Sequence, residues 1–372
     1  MSSIDLHIVS FDVPSPPDYG GVIDVYFKLR ALHQEGIRIH LHCFQYGRPT
    51  ADILNSICTK VSYYPRNTSV TALFSALPFI VATRKSKELL EALSSDNTPV
   101  LFEGLHSCAY LGHASLKNKT KIVRTHNIEH DYYAALGKVE RSFFRRLYFK
   151  READKLRRFE GQLKFADHIL AISPADANQL ASRYSGVQHV MAFHPNENVT
   201  SREGFGDFAL YHGNLEVGEN NEAALFLVNE VFSGLKHKLI IAGNKPSAQL
   251  KSAASQYRNV EIKAGISTSE IDALISSAHI NVLPTFQATG IKLKLLAALF
   301  KGRHCIANTP MVANTGLESA CSISDTAASM KSEVERIFQV PFSSGEIAKR
   351  TDILGERFSN KLNAEKIIKL LR

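Results

Sequence analysis

At 372 residues, 44% hydrophobic and 22% charged, the chain has an ordinary globular composition and is long enough for two or three domains, each with its own core. Its five cysteines, Cys43, Cys58, Cys108, Cys305 and Cys321, are odd in number and never spaced as Cys-x-x-Cys, which argues against a disulfide framework and against a structural zinc site. The formal charge of +8 suits a phosphorylated substrate, an anionic lipid surface or nucleic acid, but Trp is absent and no zinc or RNA-binding motif is present, so nucleic acid is not the expected partner.

No charged leader with an apolar core precedes the first strand, and the longest apolar run, residues 70–82, is broken by Ser75 and Pro78. A cytoplasmic protein without a membrane span is therefore expected. The first strand is predicted over residues 4–11. A Pro- and Gly-rich loop follows to Gly21, then an amphipathic helix over 22–34 and a strand over 38–44. That is one βαβ unit with its long loop at the carboxyl end of the first strand, where open α/β sheets hold ligands. Gly20 and Gly21 stand directly before the helix, where a backbone without Cβ atoms lets a ligand approach closely.

Further strands are predicted over 61–64, 99–103, 121–124 and 168–172. The one over 121–124 runs into Thr125-His126-Asn127-Ile128-Glu129, which places His126 at a strand's carboxyl end. The strand over 99–103 ends on Glu103. Residues 141–160 hold eight cations against three carboxylates, and 141–151 set Phe143, Phe144, Tyr148 and Phe149 among arginines and lysines. Such a helix can lie on an anionic membrane surface. The same segment also allows a core-facing stripe through Leu147, Leu156 and Leu163, with the arginines as its solvated side.

Residues 191–199 read as a strand broken by Pro195-Asn196, the passage to a second α/β alternation. Its strands are predicted over 208–212, 238–242, 260–264, 279–283 and 304–307, with helices over 219–232, 246–257, 268–277 and 291–301. After the strand over 279–283 comes Thr289-Gly290-Ile291-Lys292-Leu293-Lys294. A Gly-containing loop that opens a helix offers N–H groups and positive charge to a phosphate. Lys292 and Lys294, two apart, point about 200° from each other on a regular helix, so Lys292 is expected in or before the first turn, with Lys294 completing the site or pairing with an acid.

In order and spacing these features resemble the GT-B glycosyltransferases of the large retaining family that includes bacterial mannosyl- and glucosyltransferases. The likeness runs over nearly the whole chain. It rests on Gly20-Gly21, Thr125-His126-Asn127-Ile128-Glu129, Arg157-Arg158-Phe159-Glu160, Ala166-Asp167-His168, His194-Pro195-Asn196, Gly213-Asn214-Leu215 with Asn220-Asn221 following, Ala242-Gly243-Asn244 and the Thr289-Gly290-Ile291-Lys292-Leu293-Lys294 block. The resemblance implies an α/β fold of two Rossmann-like doubly wound domains facing a cleft. An N-terminal acceptor domain over 1–194 would be followed by a C-terminal donor domain over 195–372, whose last helix packs back on the first.

It also implies transfer of a sugar from a nucleotide-diphosphate sugar to a sugar or lipid-linked acceptor, with no metal or other cofactor. Gly20, Gly21, Gly213, Thr289, Gly290, Ile291, Lys292 and Lys294 would face the donor's diphosphate and sugar, and His126 would lie near the donor sugar as the catalytic group. Asn127, Glu129 and Glu103 are candidates for the acceptor or sugar side. Cations placed on the departing diphosphate lower the barrier, because leaving-group charge grows in the transition state. Many family members carry two Glu residues eight positions apart. Their counterparts here are Thr289 and Ala297, which leaves the ribose contact without its usual carboxylate and keeps a catalytically weak relative in view. A sugar-nucleotide epimerase using Glu103, and a basic binding protein, are the alternatives from other classes.

Overall fold

In the computed structural model, which describes residues 4–140, 142–286 and 292–371, the chain forms two compact α/β units. The first sheet contains β1 (Asp5–Ser10), β2 (Arg38–Gln45), β3 (Lys60–Pro65), β4 (Val100–Glu103), β5 (Lys121–Thr125), β6 (His168–Ala171) and β7 (Val187–His189). All its pairs are parallel, in the order β3-β2-β1-β4-β5-β6-β7. Leu6, Ile8, Ile39, Leu41, Leu101 and Ile122 pack on one face with Val22, Val25 and Leu29 of helix α1 (Gly20–Gln34). Val9, Val100, Phe102, Val123 and Ile169 pack on the other, and this covering of both faces is why the strands read as unbroken apolar runs. Sequence order reverses between β1 and β4, which puts the crevice of this sheet at their carboxyl ends.

Two more helices of this unit bear on function, α2 (Glu129–Val139) and α3 (Phe143–Phe159). Leu156, and Leu163 just beyond α3, are buried as a core stripe requires, but Leu147 is 39% exposed, so the stripe does not reach the start of the helix. Residues 191–199 do not form the expected strand. The edge strand is β7, three residues long and too short to show a period of two. Beyond it the chain is held by side chains: Arg124 donates to the carbonyls of Val190 (2.5 Å) and Met191 (2.8 Å).

The second unit, Asn196–Ser359, contains β8 (Phe208–His212), β9 (Lys238–Ala242), β10 (Val260–Lys263), β11 (Ile280–Leu283), β12 (His304–Ala307) and the two-residue β13 (Ser322–Ile323). They are again all parallel, in the order β10-β9-β8-β11-β12-β13. The switch point is between β8 and β11. Helix α4 (Gly218–Phe226) follows β8, and helix α5 (Leu293–Lys301) follows β11. The sequence suggested one helix over 219–232, but regular turns stop at Phe226 and a wider turn, Leu227–Val231, continues the path.

This unit ends at Ser359 and not at the chain's end. Helix α6 (Asn360–Lys369) belongs to the first unit, where Ala364 and Ile367 enter the core that holds Val22 and Leu29. Its first residue fixes the approach: the Asn360 amide donates to the carbonyl of His194 (2.7 Å) and accepts from the N–H of the same residue (3.2 Å).

Candidate active site

The carboxyl ends of β4 and β5 meet α1 in a buried charge cluster. Asp24 lies one turn into α1 and Lys28 one turn further, on the face that otherwise carries Val25 and Leu29. Asp24 Oδ1 accepts from Arg124 Nη2 (3.0 Å) and from the N–H of Phe193 (2.8 Å). Its Oδ2 accepts from Lys28 Nζ (3.0 Å), Arg124 Nε (3.2 Å) and His126 Nε2 (3.1 Å). Burial alone would raise the Asp24 pKa, but Arg124 and then Lys28 outweigh it and hold the carboxyl well below its ordinary range. Lys28 Nζ also reaches Glu103, at 2.7 Å from Oε1 and 2.9 Å from Oε2.

This cluster revises one expectation, for Glu103, and gives His126 its surroundings. Glu103 does end β4 as expected, but it is fully buried on Lys28, so it presents no face to a sugar and is not a free acid or base. His126 is 11% exposed, with its ring edge-on to Phe11 at 5.5 Å. Nε2–H donates to the Asp24 carboxylate at 3.1 Å, which fixes the orientation of the ring. Asp24, Glu103 and His126 bring one ligand atom each within 4.8 Å of one another, the donor set a divalent cation would seek, but the Lys28 ammonium already lies between the two carboxylates.

Asn127 is half-buried, and Glu129, in the first turn of α2, is almost wholly buried. Burial pushes the Glu129 carboxyl up to about 8, against the opposing pull of Arg84, so it is a neutral acid at neutral pH. Gly20 has open space where a Cβ would stand. At Gly21 a Cβ would come within 2.8 Å of the Phe11 ring, so this glycine is required by packing within the unit rather than by room for a ligand.

In the second unit the site residues gather at the β8/β11 switch point. Gly213 closes β8 with its N–H on the Ala242 carbonyl (3.0 Å), and a Cβ on Gly243 would lie 1.9 Å from the Gly213 oxygen, so the two loops approach only because Gly243 lacks one. Thr285 follows β11. Asn308, at the end of β12, clamps it by accepting from its N–H (3.0 Å) and donating to its carbonyl (2.7 Å). The Thr285 hydroxyl donates to Glu219 Oε1, and Lys292 Nζ donates to the same oxygen at 2.8 Å.

Lys292 is not on the helix. It caps α5, its carbonyl accepting the Leu295 N–H at 2.8 Å, while Lys294 sits inside the first turn. Both ammonium groups therefore reach one turn of α4, Lys292 at Glu219 and Lys294 at Asn220 Oδ1 (2.6 Å) and the Tyr211 hydroxyl (3.3 Å). Lys294 also stands over the Tyr211 ring at 5.1 Å. Burial lowers its pKa to about 8. Thr289, Gly290 and Ile291 lie outside the described residues.

Sequence reasoning missed Asp24, Lys28, Arg124 and Glu219, while Asn220 entered only through the resemblance. The signal for the first three was charge where periodicity demands apolar side chains: Arg124 follows Ile122-Val123 in a buried strand, and Lys28 interrupts a core-facing helix stripe. Glu219 gave no such signal, since polar residues in the first turn of a helix are ordinary.

No protein-family model matches the chain. It is 27% identical, over 84% of its length and 83% of the relative's, to an uncharacterised 44.6 kDa protein of the cps region of Klebsiella pneumoniae. Among solved structures it is similar to TarM, with a TM-score of 0.71 at 10% identity over 100% of this chain and 99% of that one. It is also similar to the lipopolysaccharide outer core galactosyltransferase WaaB, with a TM-score of 0.62 at 14% identity over 99% of each chain. These likenesses establish the fold, which is the two-sheet α/β architecture of the GT-B glycosyltransferases.

Proposed function

We propose that the protein is a glycosyltransferase that moves a sugar from a nucleotide-diphosphate sugar to a sugar or lipid-linked acceptor, with retention, in the synthesis of a cell-surface polysaccharide. The observation that carries this reading is the convergence of Lys292 and Lys294 on one turn of α4 beside the Gly213 loop, at the ligand-binding edge of the second sheet. Two cations held there suit a diphosphate whose charge grows as the sugar departs. The GT-B fold and the cps-region relative support the same reading.

On this reading the second unit holds the donor's diphosphate, and the first receives the acceptor, with His126 as its catalytic group. Asp24 fixes the imidazole, so the ring is set before substrate arrives. The epimerase alternative loses its main support, because Glu103 is committed to Lys28. Incubation with a panel of uridine, guanosine and adenosine diphosphate sugars tests the proposal. Slow release of free nucleoside diphosphate supports transfer; an isomerised nucleotide sugar would replace it with epimerisation.

A further inference from the structure

Glu219 is an acid in a place built for an anion. Its Oε1 accepts from both Lys292 Nζ (2.8 Å) and the Thr285 hydroxyl, and that hydroxyl is itself fixed by the clamp of Asn308 on the Thr285 backbone. Lys294, one residue further along α4 at Asn220, completes the positive side of the site. A phosphate oxygen arriving at Lys292 meets the same donors and, beside them, a fixed negative charge.

We propose that Glu219 sets the balance between donor and product by repelling the released nucleoside diphosphate more strongly than the nucleotide-diphosphate sugar. The inference rests on the donor reading given above and adds to it a residue with a defined task. In the donor, the phosphate that bears the sugar is esterified on both sides and carries one negative charge. When the glycosidic C–O bond breaks, that oxygen keeps the electron pair, and the phosphate becomes the terminal group of the diphosphate, which approaches a second charge near neutral pH. Two lysines alone would hold this product more tightly than the donor and slow its exit. A carboxylate beside them opposes each phosphate in proportion to its charge, and with about two charges on the donor's diphosphate against about three on the product's it penalises the product roughly one and a half times as much.

The quantitative consequence is testable with Glu219→Gln, which keeps an oxygen for Thr285 and Lys292 and removes the charge. Whatever factor the donor's affinity gains, the product's should gain about its three-halves power. On the scale of one unit charge a few ångströms from a partly exposed carboxylate, the preference for donor over product should fall about tenfold. Calorimetry of the full chain and the variant, with uridine, guanosine and adenosine diphosphates and their glucose or mannose esters, reads both affinities. If nucleotides bind but the ratio of the two affinities is unchanged in Glu219→Gln, the inference is overturned and the donor reading stands. If no nucleotide binds to either protein, both are overturned. Should Glu219→Gln fail to fold, Glu219→Ala removes the same charge and must shift the ratio in the same direction.

Discussion

Lys292 stands outside the helix it caps, and its ammonium ends 2.8 Å from the Glu219 carboxylate. That single displacement solves the problem posed by two lysines two residues apart, which on one helix would face away from each other. Lys292 enters from the loop and Lys294 from the first turn, and both reach α4. The pairing also assigns different costs to losing each. Lys292→Ala removes a cation and strands the Glu219 charge beside the phosphates, so nucleoside diphosphate binding should weaken by at least the roughly 1.5–3 kcal/mol of a charge-assisted hydrogen bond. Lys294→Ala should lose both binding and folding stability, because the amine is largely buried on Tyr211 and Asn220. Calorimetry with thermal melts of both variants checks this, and a Lys292→Ala protein that binds normally would remove the phosphate assignment.

Lys294 also sets a pH dependence. Its folded pKa, about 8, lies below its ordinary 10.5 because burial disfavours the ammonium, with Glu219 opposing that shift and Lys292 adding to it. In the free protein the unfolded chain therefore binds more protons between those two values, and stability should rise with pH across that window. Anion binding runs the other way, since it needs the charged amine. Nucleoside diphosphate affinity should fall as pH rises through about 8, and Lys294→Met should flatten the fall. A profile unchanged in Lys294→Met would assign the titration to another group.

The doubly wound layout was legible because strands covered on both faces announce themselves as short apolar runs, and the helices between them carry a period near 3.6. β7 and β13 were not, being too short for any period; the return of the last helix to the first unit came from the family resemblance, because nothing in the helix from Asn360 itself states which core it joins. The lysines of the proposed donor site were visible as a loop-and-helix motif. Their partners were hidden: Glu219 is 73 residues from Lys292, and only the parallel register of β8 with β11 brings them together.

The first unit makes a sharper contrast between two neighbours. Asp24 serves five donors, so Asp24→Ala leaves the buried Arg124 without its carboxylate and Lys28 with Glu103 alone, and should cost about 3–5 kcal/mol of stability or prevent folding. His126→Ala removes one donor of the five and should change stability little while lowering turnover. Denaturant unfolding alongside donor-hydrolysis rates separates the two. A His126→Ala protein that melts far lower at unchanged specific activity would make the imidazole a structural group only.

Glu129 predicts the opposite pH trend from Lys294. Its folded pKa is raised by burial to about 8 from an ordinary 4.5, so the stability associated with its proton is complete below the lower value and is lost as pH rises through the higher. Glu129→Gln cannot ionise and escapes that loss. Its melting temperature should match the parent protein's at about pH 5 and exceed it increasingly toward about pH 9. Equal melting temperatures across the range would show that the carboxyl is better solvated than its burial implies.

The last expectation concerns the start of α3. Phe143 and Phe144 are 71% and 82% exposed and stack on each other edge-on, and Arg145 follows with its side chain 76% exposed. No acid stands in that first turn, although a helix N-terminus favours negative charge, so the arrangement is poor for an isolated helix. Beside it runs a groove of about 330 Å³ between α2 and α3, where Lys138, Arg146, Lys150 and Arg157 surround the small residues Ala134, Gly137 and Ala153. Among the described residues no helix is long and apolar enough to cross a membrane. Aromatic side chains that insert at a headgroup boundary, ringed by cations that pair with anionic lipid, fit attachment to a bilayer surface. Sedimentation with vesicles containing phosphatidylglycerol should therefore carry the protein down at low salt and release it as salt rises. The double variant Phe143→Ser, Phe144→Ser should bind more weakly at every salt concentration, with donor hydrolysis in solution unchanged. Binding that ignores the two phenylalanines, or that persists equally on neutral vesicles, would contradict this mode of attachment.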